Sequence, residues 1–187
     1  MAKFFGNLNA VMIVGLIAAI ALMFGLDGDM VTGNAIGRWL HLFFGVLWIG
    51  LLYYLNFVQV PLMPTIPDEL KPAVGKHIAP KVLFYFRWAA LLTVVTGLYV
   101  AWASGWVHQA MTLQEPFTLI GAGMWIAIVM AANVWFIIWP KQKKVLGIVE
   151  ATADEKAAAG KVALMASRTN VLLSLPMFYA MVNANAG

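Results

Sequence analysis

The sequence predicts an all-α integral membrane protein, built as a bundle of five transmembrane helices. Of its 187 residues, 63% are hydrophobic and only 11% are charged, whereas soluble domains carry about 25% charged residues. The apolar residues come in five long blocks, each long enough to cross a hydrocarbon core as a helix of about 20 residues. None of the blocks alternates polar and apolar residues as the strands of a membrane barrel do. Helices are therefore the predicted spanning elements.

The five predicted spans follow one another with short connections, as a single transmembrane domain. They cover residues 9–26, 39–63, 82–104, 117–140 and 161–183. The first span follows Lys3 and resembles the apolar region of a secretory signal, but no small-residue cleavage site follows it. We therefore expect this segment to stay in the protein as a true span.

The basic residues predict the orientation of the bundle. Nine lysines fall on the side of the N-terminus, at positions 3, 71, 76, 81, 141, 143, 144, 156 and 161. The opposite side carries only Arg38, beside Asp27, Asp29 and Glu115. Because basic residues favour the cytoplasmic side of a membrane, we expect the N-terminus in the cytoplasm and the C-terminus on the other side. The same distribution explains the net charge of +4, so this charge does not indicate a nucleic-acid partner.

Polar side chains occur at one depth in four of the predicted spans. At 1.5 Å per residue they lie about 10 Å below the cytoplasmic boundary, and they are Arg87, Arg168, Asn56 and Asn133, with Asn170 within about a turn. No acidic residue lies inside a span to pair with the arginines, and an arginine at the bilayer centre costs at least about 2.5 kcal/mol. The layer therefore predicts a site for an anion. Alternatively, the arginines extend to the lipid headgroups and the asparagines bond helix to helix.

Two histidines lie near the opposite face. His41 is about one turn inside the second span, and His108 follows the end of the third. If these helices are neighbours, both imidazoles could bind one haem iron; alternatively, they belong to the interfacial aromatic belt. Roughly 15 Å of depth separates His41 from the arginines, so one haem b would not easily take His41 as its ligand and also place its propionates on the arginines. Without cysteines, covalent CxxCH haem is excluded, and we assign no residue to a metal-ion site.

Four sequence stretches carry a family resemblance. In chain order they are GRWLHLFFGVLWIGLLYY, LFYFRWAALLTVVTGLYV, GAGMWIAIVMAANVWFIIWPKQKKV and TNVLLSLPMFYAMVNAN. The sequence resembles the membrane domain of the bacterial membrane-bound urate hydroxylases (the PuuD type), and the AANVWFIIWPKQKK run is its most specific part. The resemblance covers about four of the five spans.

The resemblance implies oxidation chemistry in the bacterial cytoplasmic (inner) membrane, coupled to a cytochrome c domain on the periplasmic side. Because this sequence has no CxxCH motif, we expect a short stand-alone form with a separate periplasmic cytochrome c as its partner. We accordingly expect an oxidoreductase or a subunit of one, with haem b as cofactor and His41 and His108 as candidate ligands. Arg87 and Arg168, with the asparagines, would hold an anion or propionates.

Two other functions fit the same residues. The first is a non-catalytic structural or assembly subunit of a membrane complex, in which the polar layer only joins helices. The second is a small membrane protein that binds an anion or a lipid through the two arginines. In each case we expect association with the lipid bilayer and with further copies of the chain or other membrane subunits.

Overall fold

The computed structural model describes residues 1–27 and 32–184, and every regular element in these ranges is helical. The all-α prediction is therefore confirmed. The seven helices of the described ranges are α1 (Ala2–Phe5), α2 (Leu8–Leu26), α3 (Gly33–Thr65), α4 (Lys71–Ala103), α5 (Val107–Met111), α6 (Thr118–Val145) and α7 (Ala153–Asn183). Asp29, one of the acidic residues of the predicted orientation, lies outside the described residues.

Four of these helices, α2, α3, α4 and α6, are long and apolar enough to cross a membrane. This is the character of a multi-pass membrane protein. Helix α7 has 31 residues and contains the fifth predicted span, but it is not among those four. Polar residues at its middle, including Arg168 and Asn170, lower its apolar character. The count of five spans stays a prediction.

Helices α3, α4, α6 and α7 form a bundle in which α3 packs along α4 and α7 packs along α6. Its core includes Trp48, Leu52, Phe86 and Met130, all almost fully buried. Because lipid tails are as apolar as these side chains, close packing and hydrogen bonds must hold the helices together. Gly123 allows such packing, since a Cβ there would lie 2.9 Å from the Cβ of Ala180.

Helix α2 stands apart from this bundle. Asn7 caps its start, and the Asn7 side chain accepts a hydrogen bond from the amide of Ala10 at 3.2 Å. None of its residues is buried, and its side chains are apolar around the whole helix. Such a helix is stable where lipid surrounds it.

Prolines locally widen three of the long helices. The π-helical segments Tyr54–Gln59, Val74–Ile78 and Asn133–Ile138 each end two residues before a proline. A proline lacks an N–H, and its ring clashes with the carbonyl four residues earlier. A wider turn accommodates that clash and leaves a carbonyl without its usual partner. Asn56 and Asn133 both lie in these segments.

A charged turn joins α6 to α7. Thr152 and Glu155 form a capping box at the start of α7, in which the Thr152 side chain accepts from the Glu155 amide at 3.2 Å. Lys144, near the end of α6, donates to the Glu155 carboxylate at 3.3 Å. The amide of Thr152 and the Lys144 ammonium lower the pKa of Glu155. With Lys81, Lys141 and Lys161, this turn marks what we call the lysine end of the bundle.

Candidate functional site

A glycine on α4 allows His41 of α3 to lie directly against the neighbouring helix. A Cβ at Gly97 would be only 2.8 Å from Cε1 of His41, closer than side chains approach one another. The imidazole is half-buried at this contact. The position of His41 therefore depends on the missing side chain of Gly97.

The backbone of α4 orients the imidazole. Nδ1 of His41 lies 2.8 Å from the carbonyl oxygen of Thr93. A carbonyl can only accept, so Nδ1 carries the proton in this contact and Nε2 of a neutral ring keeps its lone pair. The hydroxyl of Thr96 is 3.4 Å from the same nitrogen, but its own hydrogen is directed to Leu92 O at 2.6 Å.

His41 lines a cleft of about 420 Å³ between the helices of the bundle. Most of the wall is apolar, and the side chains in it that carry a polar or charged group are Arg38, His41, Trp48, Thr93 and Trp106. Three methionines from α6 and α7 complete it, Met124, Met177 and Met181. An apolar cleft with few polar groups is typical of sites for small molecules and cofactors.

Trp48, which borders this cleft, carries an unpaired donor. The side chain is fully buried, and its Nε1–H has no hydrogen-bond partner among the described residues. A buried N–H without an acceptor costs about 1–3 kcal/mol. A hydrogen-bond acceptor that reached this nitrogen would remove that cost.

The structure does not bring His108 into the cleft with His41. His108 is exposed on the short helix α5 and is not among the residues that line the cleft. Within the described residues no cluster of three or more His, Cys, Asp or Glu side chains could hold a metal ion.

The predicted polar layer contains three asparagines that the structure joins through one turn of α7. Asn133 donates to Asn170 Oδ1 at 2.7 Å and to Ala166 O at 2.8 Å. Asn56 donates to Ser167 Oγ at 2.8 Å. Asn170 in turn donates to the carbonyl of Met130 at 3.0 Å. These side chains therefore connect α3, α6 and α7.

The two arginines of the layer make other contacts. The guanidinium carbon of Arg87 lies 3.9 Å from the ring centroid of Trp139 and 5.4 Å from that of Phe84, so two aromatic rings partly stabilise its charge. Arg168 is exposed. Neither arginine is hydrogen-bonded to an asparagine within the described residues. The anion site stays a prediction.

The cleft also contains Arg38, Trp48 and Gly97. The sequence alone did not predict them as site residues. One signal was available for Arg38, because residues three apart share a helix face and Arg38 precedes His41 by three. Sequence offers no such signal for Trp48, since its unpaired nitrogen is a property of the packed bundle.

A family model for the urate oxidase N-terminal domain matches residues 87–186. This chain belongs to that family. The resemblance seen in the sequence is thereby confirmed. Comparison with curated proteins and with solved structures finds no match. In this member of the urate oxidase N-terminal family, the matched region contains Thr93, Gly97 and the three methionines of the cleft wall. Arg38 and His41 precede the matched region.

Proposed function

We propose that this member of the urate oxidase N-terminal family is a membrane redox subunit that binds haem b in the cleft through His41. The observation that carries the proposal is the 2.8 Å contact between His41 Nδ1 and Thr93 O. Histidines that ligate a metal generally donate their other ring N–H to a carbonyl or carboxylate, which fixes the ring and directs the free nitrogen to the metal. His41 has this arrangement at the wall of an apolar cleft.

The other residues of the cleft suit such a cofactor. Arg38, on the same face of α3, would pair with a propionate, and a methionine of the wall could supply a thioether as a further ligand. The haem would supply one-electron transfer, while the apolar lining would exclude water from it.

The proposal includes an orientation and a partner. The lysine end would face the cytoplasm and the His41 end the periplasm, in a bundle of five spans in the bacterial inner membrane. Electrons would then leave from the cleft to a periplasmic cytochrome c. The distribution of the lysines supports this orientation.

A difference spectrum tests the proposal. The dithionite-reduced minus air-oxidised spectrum of the purified protein should show the Soret and α bands of haem b, and the iron content should match. His41→Ala should lose both signals. His108→Ala is the matched control and should keep them, because His108 is exposed outside the cleft. A colourless wild-type protein without iron would overturn the haem proposal.

A quinone is a second candidate occupant, and the unpaired Nε1–H of Trp48 favours it. A quinone carbonyl would accept that hydrogen bond, whereas the apolar edge of a haem has no acceptor. Quinone extracted from the purified protein should then fall with Trp48→Phe. Trp102→Phe should leave it unchanged, because Trp102 is 67% exposed.

A structural or assembly role is the function that remains if neither occupant is found. The asparagine bonds between α3, α6 and α7 favour it, since they join helices without any ligand. A protein free of haem and quinone should then co-purify with a stoichiometric membrane partner. Stabilisation by an anion, lost in Arg87→Gln or Arg168→Gln, would instead indicate an anion- or lipid-binding protein.

A further inference from the structure

One face of α7 changes from polar to apolar along its length. Residues 167, 170, 174, 177 and 181 are spaced three or four apart and therefore share this face. Toward the lysine end the face carries Ser167, Asn170 and Ser174, of which the last two are fully buried. Toward the His41 end it continues with two methionines of the cleft wall. The polar half of the face thus leads into the cleft.

A face of α3 with the same helical spacing packs toward α7 inside the bundle. Trp48, Leu52, Asn56 and Gln59 are also spaced three or four apart, and α3 contacts α7. Asn56 bonds Ser167 of α7 at 2.8 Å. Nearer the cleft, the Tyr53 hydroxyl lies 2.9 Å from Ser174 Oγ. Hydrogen bonds therefore cross from α3 to α7 at two levels.

The amides at this interface have surplus acceptors. Both Nδ2 hydrogens of Asn56 are used, on Leu52 O and Ser167 Oγ, and Nδ2 of Asn133 likewise serves two oxygens. These bonds fix the orientation of both amides. Their Oδ1 atoms, with Oε1 of Gln59, are buried and have no partner among the described residues. Water is the small donor that usually satisfies such buried oxygens.

The same interface has an unpaired donor at its cleft end, Nε1 of Trp48. Water can also accept, so one chain of waters would satisfy atoms of both kinds. Asn56 and Asn133 lie in π-helical segments, which bring extra carbonyl acceptors to this level and occur frequently at functional sites.

We infer that these residues form a water-filled polar seam that carries protons from the lysine end of the bundle to the inner end of the cleft. The polar seam consists of Gln59, Asn56, Tyr53, Ser167, Asn133, Asn170 and Ser174. Only the destination of the protons, a redox group in the cleft, rests on the proposed function. The hydration of the seam does not depend on the occupant and can be measured without it.

Hydrogen–deuterium exchange at the tryptophan indoles tests the seam on the full chain in lipid nanodiscs. The protein is labelled with ¹⁵N-tryptophan, transferred to D₂O and followed by NMR, and Trp48→Phe assigns the resonance. Trp48 Nε1–H should exchange fast although the residue is 0% exposed, because the seam supplies water. Trp125 and Trp135, whose indoles donate to backbone carbonyls at 3.0 Å, should exchange more slowly.

Variants of the seam distinguish water that lies in the seam from water that enters through the cleft. Ser174→Ala and Asn56→Leu should each slow the exchange at Trp48 on the order of tenfold, as expected when a local water contact is lost. Thr169→Ala is the matched control on α7, since Thr169 is exposed and bonds only Met165 O. Unchanged exchange at Trp125 and Trp135 would show that each variant is folded.

Two results would overturn the inference. Slow exchange at Trp48 in the unsubstituted protein would show that the seam is dry. Fast exchange that neither Ser174→Ala nor Asn56→Leu slows would show that water reaches Trp48 from the cleft alone. Neither result bears on the haem proposal, which the difference spectrum decides.

Discussion

At the scale of single residues, the site depends on the imidazole of His41 and on the lack of a side chain at Gly97. His41 reaches the Thr93 carbonyl because Gly97, one turn further along α4, presents no Cβ. The carbonyl is already part of a helix, and a carbonyl oxygen can accept a second hydrogen bond. This one contact places the proton on Nδ1 of His41 and leaves Nε2 free. The proposed role of His41 as a ligand depends on that free nitrogen.

Gly97→Ala should displace the imidazole of His41 and release its bond to Thr93. We expect a loss of bound cofactor and a destabilisation of about 1–3 kcal/mol, the usual cost of an overpacked contact. Cofactor content and unfolding in mixed micelles would measure the two effects.

Gly45→Ala is the control for that substitution. Gly45 also lines the cleft, but a Cβ there would lie 3.8 Å from its nearest neighbour, the Cγ2 of Thr93. It should change neither quantity appreciably. Equal effects of both substitutions would contradict the role assigned to Gly97.

At the scale of helices, hydrogen bonds and ends decide how the elements meet. The asparagines bond α7 to α3 and α6 where lipid provides no hydrophobic attraction between helices. Outside the spans, Thr152 and Glu155 fix the start of α7, and Lys144 ties it to the end of α6. Each of these contacts is short-range, and together they hold the face of α7 toward the cleft.

The start of α7 should be sensitive to pH through Glu155. Its folded pKa lies below its ordinary value of 4.5, so its stabilising effect is complete above that value. The effect is lost as the pH falls through the lowered pKa, because the unfolded chain binds the proton first. Glu155→Gln should therefore destabilise the protein at neutral pH and converge with the unsubstituted protein in acid.

Thermal unfolding of both proteins across the acidic range would measure that convergence. Asp154→Asn is the control, since the Asp154 carboxylate makes neither the capping nor the lysine contact. A difference between the Glu155→Gln and unsubstituted proteins that persists undiminished at low pH would contradict the assignment.

At the scale of the whole molecule, the described residues form a four-helix bundle, from which α2 stands apart. The cleft and the lysine end lie at opposite ends of that bundle, and the polar seam lies between them. This arrangement gives the molecule two chemically different ends. Association with further copies of the chain or with other membrane subunits stays a prediction.

The orientation can be tested directly, because the chain contains no cysteine. Lys156→Cys at the lysine end and Gln114→Cys near α5 each introduce a single thiol at an exposed position. In intact cells a membrane-impermeant maleimide should label Gln114→Cys and leave Lys156→Cys unlabelled until the membrane is disrupted. Labelling in the opposite order would invert the proposed topology.

The sequence alone determined the all-α class and the family, and it placed the asparagines of different helices at one level. The helical class and this common level depend on the spacing of residues along each helix, which the sequence records directly. The four long apolar helices and the asparagine layer illustrate this, since hydropathy and a rise of 1.5 Å per residue suffice to find them.

Only the tertiary structure decided which of those residues meet. It placed Arg87 on Trp139, brought the asparagines together around α7 and left Trp48 Nε1 unpaired. It also put His41 in the cleft and His108 outside it. These outcomes depend on how each helix is rotated and on which neighbour it contacts. Apolar helices in lipid have similar side chains on every face, so their sequence records that rotation only weakly.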